Sequence, residues 1–274
     1  MSLLVILVFL GLGALGMPLA LALGGSAVAG LAASNVDFNM LPSRMMNAVN
    51  AFPLMSIPFF ILAGELMMKA GIMERLVDFA NAAVGRVRGG LAHVTMVAGL
   101  GLSTVSGAAV ADASALGSTL VPSLRKVYGV GFSSAVVAAA ANLGPIIPPS
   151  GAMIVYAFMA GPSVSVGGLF MAGVVPGILL VGSMMALCSW IARRRGYPTT
   201  GEPLSLRVLG REVRRSFLIL MMPVVVIGGI VGGAFTATEG SAIAVIYALL
   251  IGFFVTRRLR LSHLPDAMLR TAIT

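Results

Sequence analysis

The chain has 274 residues, 58% of them hydrophobic and 10% charged, with a mean hydropathy of +1.03. That composition excludes a soluble globular domain and reads as an all-α polytopic membrane protein, its Gly, Ala and Ser suiting helices packed closely in lipid. The net charge of +9 does not indicate nucleic acid, because the basic residues stand in short connections between apolar runs, and the single cysteine, Cys188, excludes a disulfide framework.

In chain order, apolar segments are predicted over 3–15, 19–33, 52–68, 91–120, 132–159, 168–192, 216–234 and 239–256. The first begins without a basic n-region or a clear cleavage site and reads as a retained helix. Gly16-Met17-Pro18 then makes a tight turn. The connection 34–51 carries only Arg44 against Asp37, and its part 41–50 is amphipathic, an arm for the membrane interface. Glu65 stands one turn before Lys69, the spacing of an i,i+4 ion pair. The connection 69–90 holds Lys69, Arg75, Arg86 and Arg88 against Glu74 and Asp78. The connection 193–215 holds Arg193, Arg194, Arg195, Arg207, Arg211, Arg214 and Arg215 against Glu202 and Glu212. The positive-inside rule places both in the cytoplasm and the N-terminus in the periplasm.

Basic residues flank both ends of segment 91–120: Arg86 and Arg88 before it, Arg125 and Lys126 after it. Both ends therefore belong on one side, yet about thirty residues are too few for two full spans. A re-entrant hairpin is predicted, its tip at Ser103-Thr104-Val105-Ser106-Gly107-Ala108, where small polar residues and Gly permit a turn. The next segment contains Asn142-Leu143-Gly144-Pro145-Ile146-Ile147-Pro148-Pro149-Ser150. Each proline removes a backbone donor and clashes with the preceding turn, so a helix broken near Gly144 is predicted. Broken helices at membrane depth are characteristic of transporter binding sites.

Gly25-Ser26-Ala27-Val28-Ala29 recurs as Gly240-Ser241-Ala242-Ile243-Ala244. Leu41-Pro42-Ser43-Arg44-Met45-Met46 is echoed by Leu264-Pro265-Asp266-Ala267-Met268-Leu269. The copies have opposite predicted orientations, the pattern of an inverted-topology repeat. Segments 41–50 and 264–273 become paired interfacial arms. The expected organisation is scaffold helices and arm over 1–51, a helix and cytoplasmic linker over 52–90, the hairpin over 91–124 and the broken helix over 125–160. A transmembrane helix follows over 161–192, then the basic loop over 193–215. The second repeat opens over 216–274, with the counterparts of the hairpin and broken helix expected beyond Thr274, in a longer transporter.

Asp112 lies in the second limb of the hairpin, and an intramembrane carboxylate is costly and usually functional. Three roles are open to it: binding a cation, relaying a proton, or capping backbone N–H groups. Neutral oxygens suffice for sodium, and Ser103, Ser106 and Gly107 of the tip with Asn142, Gly144, Pro145, Pro148 and Ser150 of the break supply them. A half-helix starting after Pro149 would aim its N–H groups at the break and suit a carboxylate. Asp112, Pro149 and Gly151 are thus read as substrate-proximal or structural. Thr236 or Thr238 is expected to cap a helix with Glu239 in its first turn. His93 and His263 are assigned no role. An intramembrane protease would need a base beside Ser106 or a second carboxylate beside Asp112, and neither is evident. A channel or structural membrane subunit without ion coupling is the rival reading.

Several stretches, in order along nearly the whole chain, carry a family resemblance: 57–67 (IPFFILAGELM), 88–94 (RGGLAHV), 106–113 (SGAAVADA), 144–150 (GPIIPPS) and 235–239 (FTATE). They resemble the large membrane subunit of tripartite ATP-independent periplasmic (TRAP) transporters. The resemblance implies an inner-membrane secondary transporter with an elevator mechanism, not an enzyme, in which sodium ions drive uptake and no other cofactor is required. The implied partners are a small membrane subunit, a periplasmic solute-binding protein, an organic-acid substrate and the lipid bilayer. The family's sodium sites, where hairpin tips meet broken helices, map onto Ser103, Ser106, Gly107, Asn142, Gly144, Pro148 and Ser150. The chain departs from the pattern at Ala108, which offers no side-chain oxygen, and at Ala237, where proline is frequent.

Overall fold

The computed structural model describes residues 2–34, 37–161, 163–199 and 206–273, so Glu202 of the basic connection lies outside the described residues. The chain forms two compact units, 1–51 and 52–274. Among the described residues, four helical stretches are long and apolar enough to cross a membrane: Phe52–Lys69, Val166–Arg194, Arg207–Val231 and Ala237–Val255. The protein is a helical, multi-pass membrane protein.

In the first unit, α1 (Ser2–Ala14) and α2 (Leu19–Ala32) form a helical hairpin, followed by the short α3 (Met40–Val49). The turn uses Gly16 at φ 81°, a conformation that glycine adopts without strain. Glycines bring the two helices together: a Cβ on Gly30 would stand 2.7 Å from Val5 Cγ2, and one on Gly25 2.9 Å from Leu12 Cδ1.

The second unit opens with a 3₁₀ turn (Phe52–Met55) leading into α4 (Ser56–Lys69). The stretch after Lys69, expected to be a linker, is instead the helix α5 (Ile72–Val84). Its charges sit on one side of an amphipathic helix, which gives the stretch the composition of a connection. Ile72, Met73, Leu76 and Ala80 are buried along one face, whereas Glu74, Arg75 and Asp78 lie off it. Leu76 packs on α6 (Gly90–Ser106), where a Cβ on Gly101 would come within 2.9 Å of it.

α7 spans Ala109–Ala141 and holds two helices end to end, joined at Gly129 (φ 76°, ψ 172°). The outer hairpin limb is 109–128 and the first half of the broken helix 130–141, so their boundary falls four residues later than the expected 124. Tyr128 and Phe132, on either side of the joint, both pack on Tyr197, with ring centroids 4.7 and 5.7 Å away. The second half-helix is α8 (Gly151–Ala160), followed by α9 (Val166–Arg194). The next helix, α10 (Leu206–Val231), starts ten residues before its expected beginning at Ser216. Arg207 to Arg215 are therefore helical, not part of a loop.

α11 (Ala237–Leu250) continues through a π-helical turn (Ile251–Val255), and α12 (Leu264–Ile273) is a short helix over the segment expected to form the second arm. α11 lies along α4, and the Thr238 hydroxyl donates to the Phe52 carbonyl at 3.2 Å. The core of this unit is centred on Phe60, Leu66, Met67, Met96, Leu102, Leu116 and Phe170, each nearly inaccessible. The sequence echo has local counterparts. α2 and α11 each have 14 residues, α3 and α12 each have 10. At equivalent positions, Ser26 and Ser241 are buried and donate to the carbonyl three residues back, Leu23 and Thr238, at 2.9 and 2.7 Å.

Candidate functional site

Two chain reversals meet here. The first is the hairpin tip. α6 ends at Ser106, Gly107 takes φ 60°, Ala108 is extended, and the outer limb starts at Ala109. Only glycine enters the left-handed region without strain, which fixes the turn at Gly107. Because the limb starts so soon, Asp112 falls in its first turn, directly across from the end of α6.

Asp112 is fully buried, and two α6 hydroxyls satisfy its carboxylate. Ser103 Oγ donates to Oδ2 at 2.9 Å, and Ser106 Oγ donates to Oδ1. Ser103 and Ser106 are three residues apart and so share one helix face. Ser106 Oγ also accepts from Ala108 N–H at 3.4 Å, so Ser103 Oγ keeps two lone pairs to accept or to ligate and Ser106 Oγ keeps one.

The second reversal is the break. After Ala141 the chain loosens into turns closed by Ile146 N–H and Ile147 N–H on the Leu143 carbonyl, at 3.0 and 2.8 Å. Pro145, Pro148 and Pro149 supply no N–H there, so helical bonding stops. The Ser150 hydroxyl reaches back to the Pro145 carbonyl at 2.8 Å, leaving Ser150 an extended N-cap residue with no side-chain cap bond. α8 then starts at Gly151, where a Cβ would stand 3.4 Å from Ile57 Cγ2 of α4.

Tip and break are in contact at two glycines. A Cβ on Gly107 would collide with the Pro149 carbonyl oxygen and lie 3.4 Å from Ser150 Cα. A Cβ on Gly144 would stand 2.9 Å from Asp112 Oδ2 and 3.0 Å from the backbone of Ala108 and Ala109. The structure thus brings Ser103, Ser106, Gly107, Asp112, Gly144, Pro149 and Ser150 to one place. Pro145 and Pro148 shape the break beside it. Asn142 is exposed and lines a separate open groove with Ala109, Val110, Ala113 and Met184.

Two residues of α4 complete the site: Gly64, and Glu65, which was expected only to pair with Lys69. Gly64 of α4 allows the helix to press on the tip, a Cβ there standing 3.0 Å from Ser106 Cα. Glu65 lines a small cavity of about 20 Å³ with Gly64, Leu102, Ser106, Ala108 and Asp112. That space holds about one water-sized particle. The expected Glu65–Lys69 pair is not formed; Lys69 pairs instead with Asp266 on α12. No local signal in the sequence points to that long-range partner. His93, assigned no role, is buried in α6 with Nε2 3.1 Å from the Ser189 hydroxyl of α9.

Farther away, Thr236 caps α11. Its hydroxyl accepts from Glu239 N–H at 3.3 Å, and Glu239 Oε2 accepts from Thr236 N–H at 2.7 Å, a reciprocal capping box. Thr238, the alternative cap, spends its hydroxyl on Phe52.

Comparison with known proteins now identifies the family. The model described as "Tripartite ATP-independent periplasmic transporter, DctM component" matches residues 5–274. The chain is 37% identical over 268 residues to the sialic acid TRAP transporter large permease protein SiaM of Vibrio cholerae, covering 97% of this chain and 62% of that one. It is 39% identical over 232 residues to the C4-dicarboxylate TRAP transporter large permease protein DctM of Pseudomonas aeruginosa, covering 84% and 54%. With the isethionate TRAP transporter permease protein DctMQ of Oleidesulfovibrio alaskensis it shares 36% over 261 residues, 94% of this chain and 41% of that one. The chain therefore spans about three fifths or less of the length of these relatives. A helical multi-pass protein with a hairpin tip seated on a broken helix, matched by the family's model over residues 5–274, belongs to the DctM component family of tripartite ATP-independent periplasmic transporters.

Proposed function

We propose that the chain forms part of the large permease of a sodium-driven uptake system for a small organic acid, and that the meeting of tip and break is its ion site. The observation that carries this reading is the seating of Gly107 on Pro149 and of Gly144 on Asp112, beside a cavity that fits one small particle. A partly dehydrated sodium ion needs several oxygens at close range. The Ser103 and Ser106 hydroxyls provide two, held in place by Asp112, whose negative charge also favours a cation. Carbonyls freed by the prolines at the break complete the set. The N-terminus of α8 presents unpaired N–H groups to the substrate carboxylate.

Sodium then acts as the fastener between hairpin and broken helix. With the ion bound, tip and break form one rigid body that carries the substrate; without it, the tip loses an attraction and opens. Movement of that body against scaffold helices and arms is the elevator step. A periplasmic solute-binding protein delivers the acid, a small membrane subunit braces the scaffold, and the N-terminus faces the periplasm, in keeping with the arginine-rich connections on the opposite side.

The test is uptake of labelled organic acid by the full-length permease, reconstituted with its small subunit and binding protein. Flux that needs an inward sodium gradient supports the reading, whereas equal flux with sodium replaced by choline overturns it and favours a channel.

A further inference from the structure

The basic residues of the second unit do more than mark topology. Arg207, Arg211, Arg214 and Arg215 fall on one face of the first turns of α10, and all four are exposed. Arg75 of α5 joins them, its Nη1 donating to the Arg215 carbonyl at 3.0 Å, while Ser216 Oγ donates to the Arg75 carbonyl at 3.5 Å. Arg258 reaches the same place from beyond α11. It lies over Gly71, where a Cβ would be 2.8 Å from its Cδ, and pairs with Glu74.

Charge here is unbalanced. Burial, then the nearby charges of Arg215 and Arg258, push the Arg75 guanidinium below its ordinary range, and Glu212 pulls it back only in part. Glu212 also faces Arg211, at 3.8 Å. A positive-inside signal requires arginines in a loop, but not their convergence from three elements against mutual repulsion. Just beyond the cluster α10 turns apolar, with Phe217, Leu218, Val224 and Val225 exposed along the span. The guanidinia thus stand at the start of an exposed apolar stretch of α10.

We propose that Arg75, Arg214, Arg215 and Arg258 form a binding site for the phosphate headgroup of an anionic phospholipid, whose acyl chains lie along α10. Arginine suits this ligand because its planar fork engages phosphate oxygens in pairs. The lipid neutralises the cluster and ties α5, α10 and the stretch before α12 to one leaflet.

Native mass spectrometry of the full-length permease in detergent, titrated with phosphatidylglycerol or phosphatidylcholine, tests the site. Phosphatidylglycerol is expected to bind at least about tenfold tighter, and the Arg75→Gln/Arg215→Gln double variant to lose roughly thirtyfold in affinity for it. Arg214→Gln, which removes no described hydrogen bond, is expected to lose roughly fivefold and serves if the double variant does not fold. Arg75→Lys/Arg215→Lys should keep most of the preference, and Lys126→Gln should change nothing. Equal binding of the two lipids overturns the proposal, as does an unchanged preference in Arg214→Gln. Full displacement by inorganic phosphate at the same concentration would make this a free-anion site, and also overturn it.

Discussion

Asp112 is tolerable in its fully buried place because of where Gly107 turns the chain. A one-residue change in the tip would carry the carboxylate away from Ser103 and Ser106 and leave a buried charge unpaired, at a cost of several kcal/mol. Ser103→Ala, which removes one donor to that carboxylate, is therefore expected to destabilise the protein by about 1–3 kcal/mol, read as a lower thermal midpoint in detergent. Gly107→Ala meets two penalties: a left-handed residue costs about 1–2 kcal/mol, and its methyl group collides with the Pro149 carbonyl. It should lower the thermal midpoint and abolish uptake, whereas Ala108→Ser, in an extended and half-buried position, should fold normally. Thr236→Ala at the capping box should cost about 1 kcal/mol without altering sodium dependence. At this scale much of the site could be read from the residues, since proline, glycine and an isolated carboxylate act through local rules. Gly64 and Glu65 could not, because only the packing of α4 on the tip gives them a place there.

At the scale of elements, the arm α12 is held to α4 through Lys69 and Asp266, with Arg270 one turn further along α12. The Lys69 hydrogen bond holds the Asp266 carboxyl below the usual carboxylate range, opposed by slight burial and aided by the charge of Arg270. A carboxylate with a depressed folded pKa stabilises above its unfolded value, about 4, and that contribution fades as pH falls through the lower folded value. Hydrogen-exchange protection of Leu264–Ile273 should thus be steady from pH 7 to about pH 4 and decline below it. Asp266→Asn should remove that dependence, and high salt should weaken the tie. The pair is 197 residues apart in sequence, whereas local spacing points Lys69 to the nearer Glu65. The same limit explains α5: a charged stretch reads as a connection until its apolar face is seen against α6. Gly129 lies between the predicted segments 91–120 and 132–159, where a single glycine carries no mark of the joint it makes, unlike the three prolines of the break.

For the whole molecule, hydropathy and charge point to the class and the hairpin, and the prolines to the broken helix, because bilayer thickness and unsatisfied backbone groups leave few solutions. The contact between hairpin and break depended on tertiary packing, although the small residues at both places allowed it. The proposed function requires that contact to be a sodium site. Equilibrium binding of radioactive sodium to the purified full-length permease, in wild type and in Ser106→Ala, tests it most directly. Saturable binding that weakens about tenfold in Ser106→Ala, through loss of one oxygen and release of Asp112, is the predicted result. Sodium binding of unchanged affinity in Ser106→Ala, or no saturable binding in wild type, would contradict it.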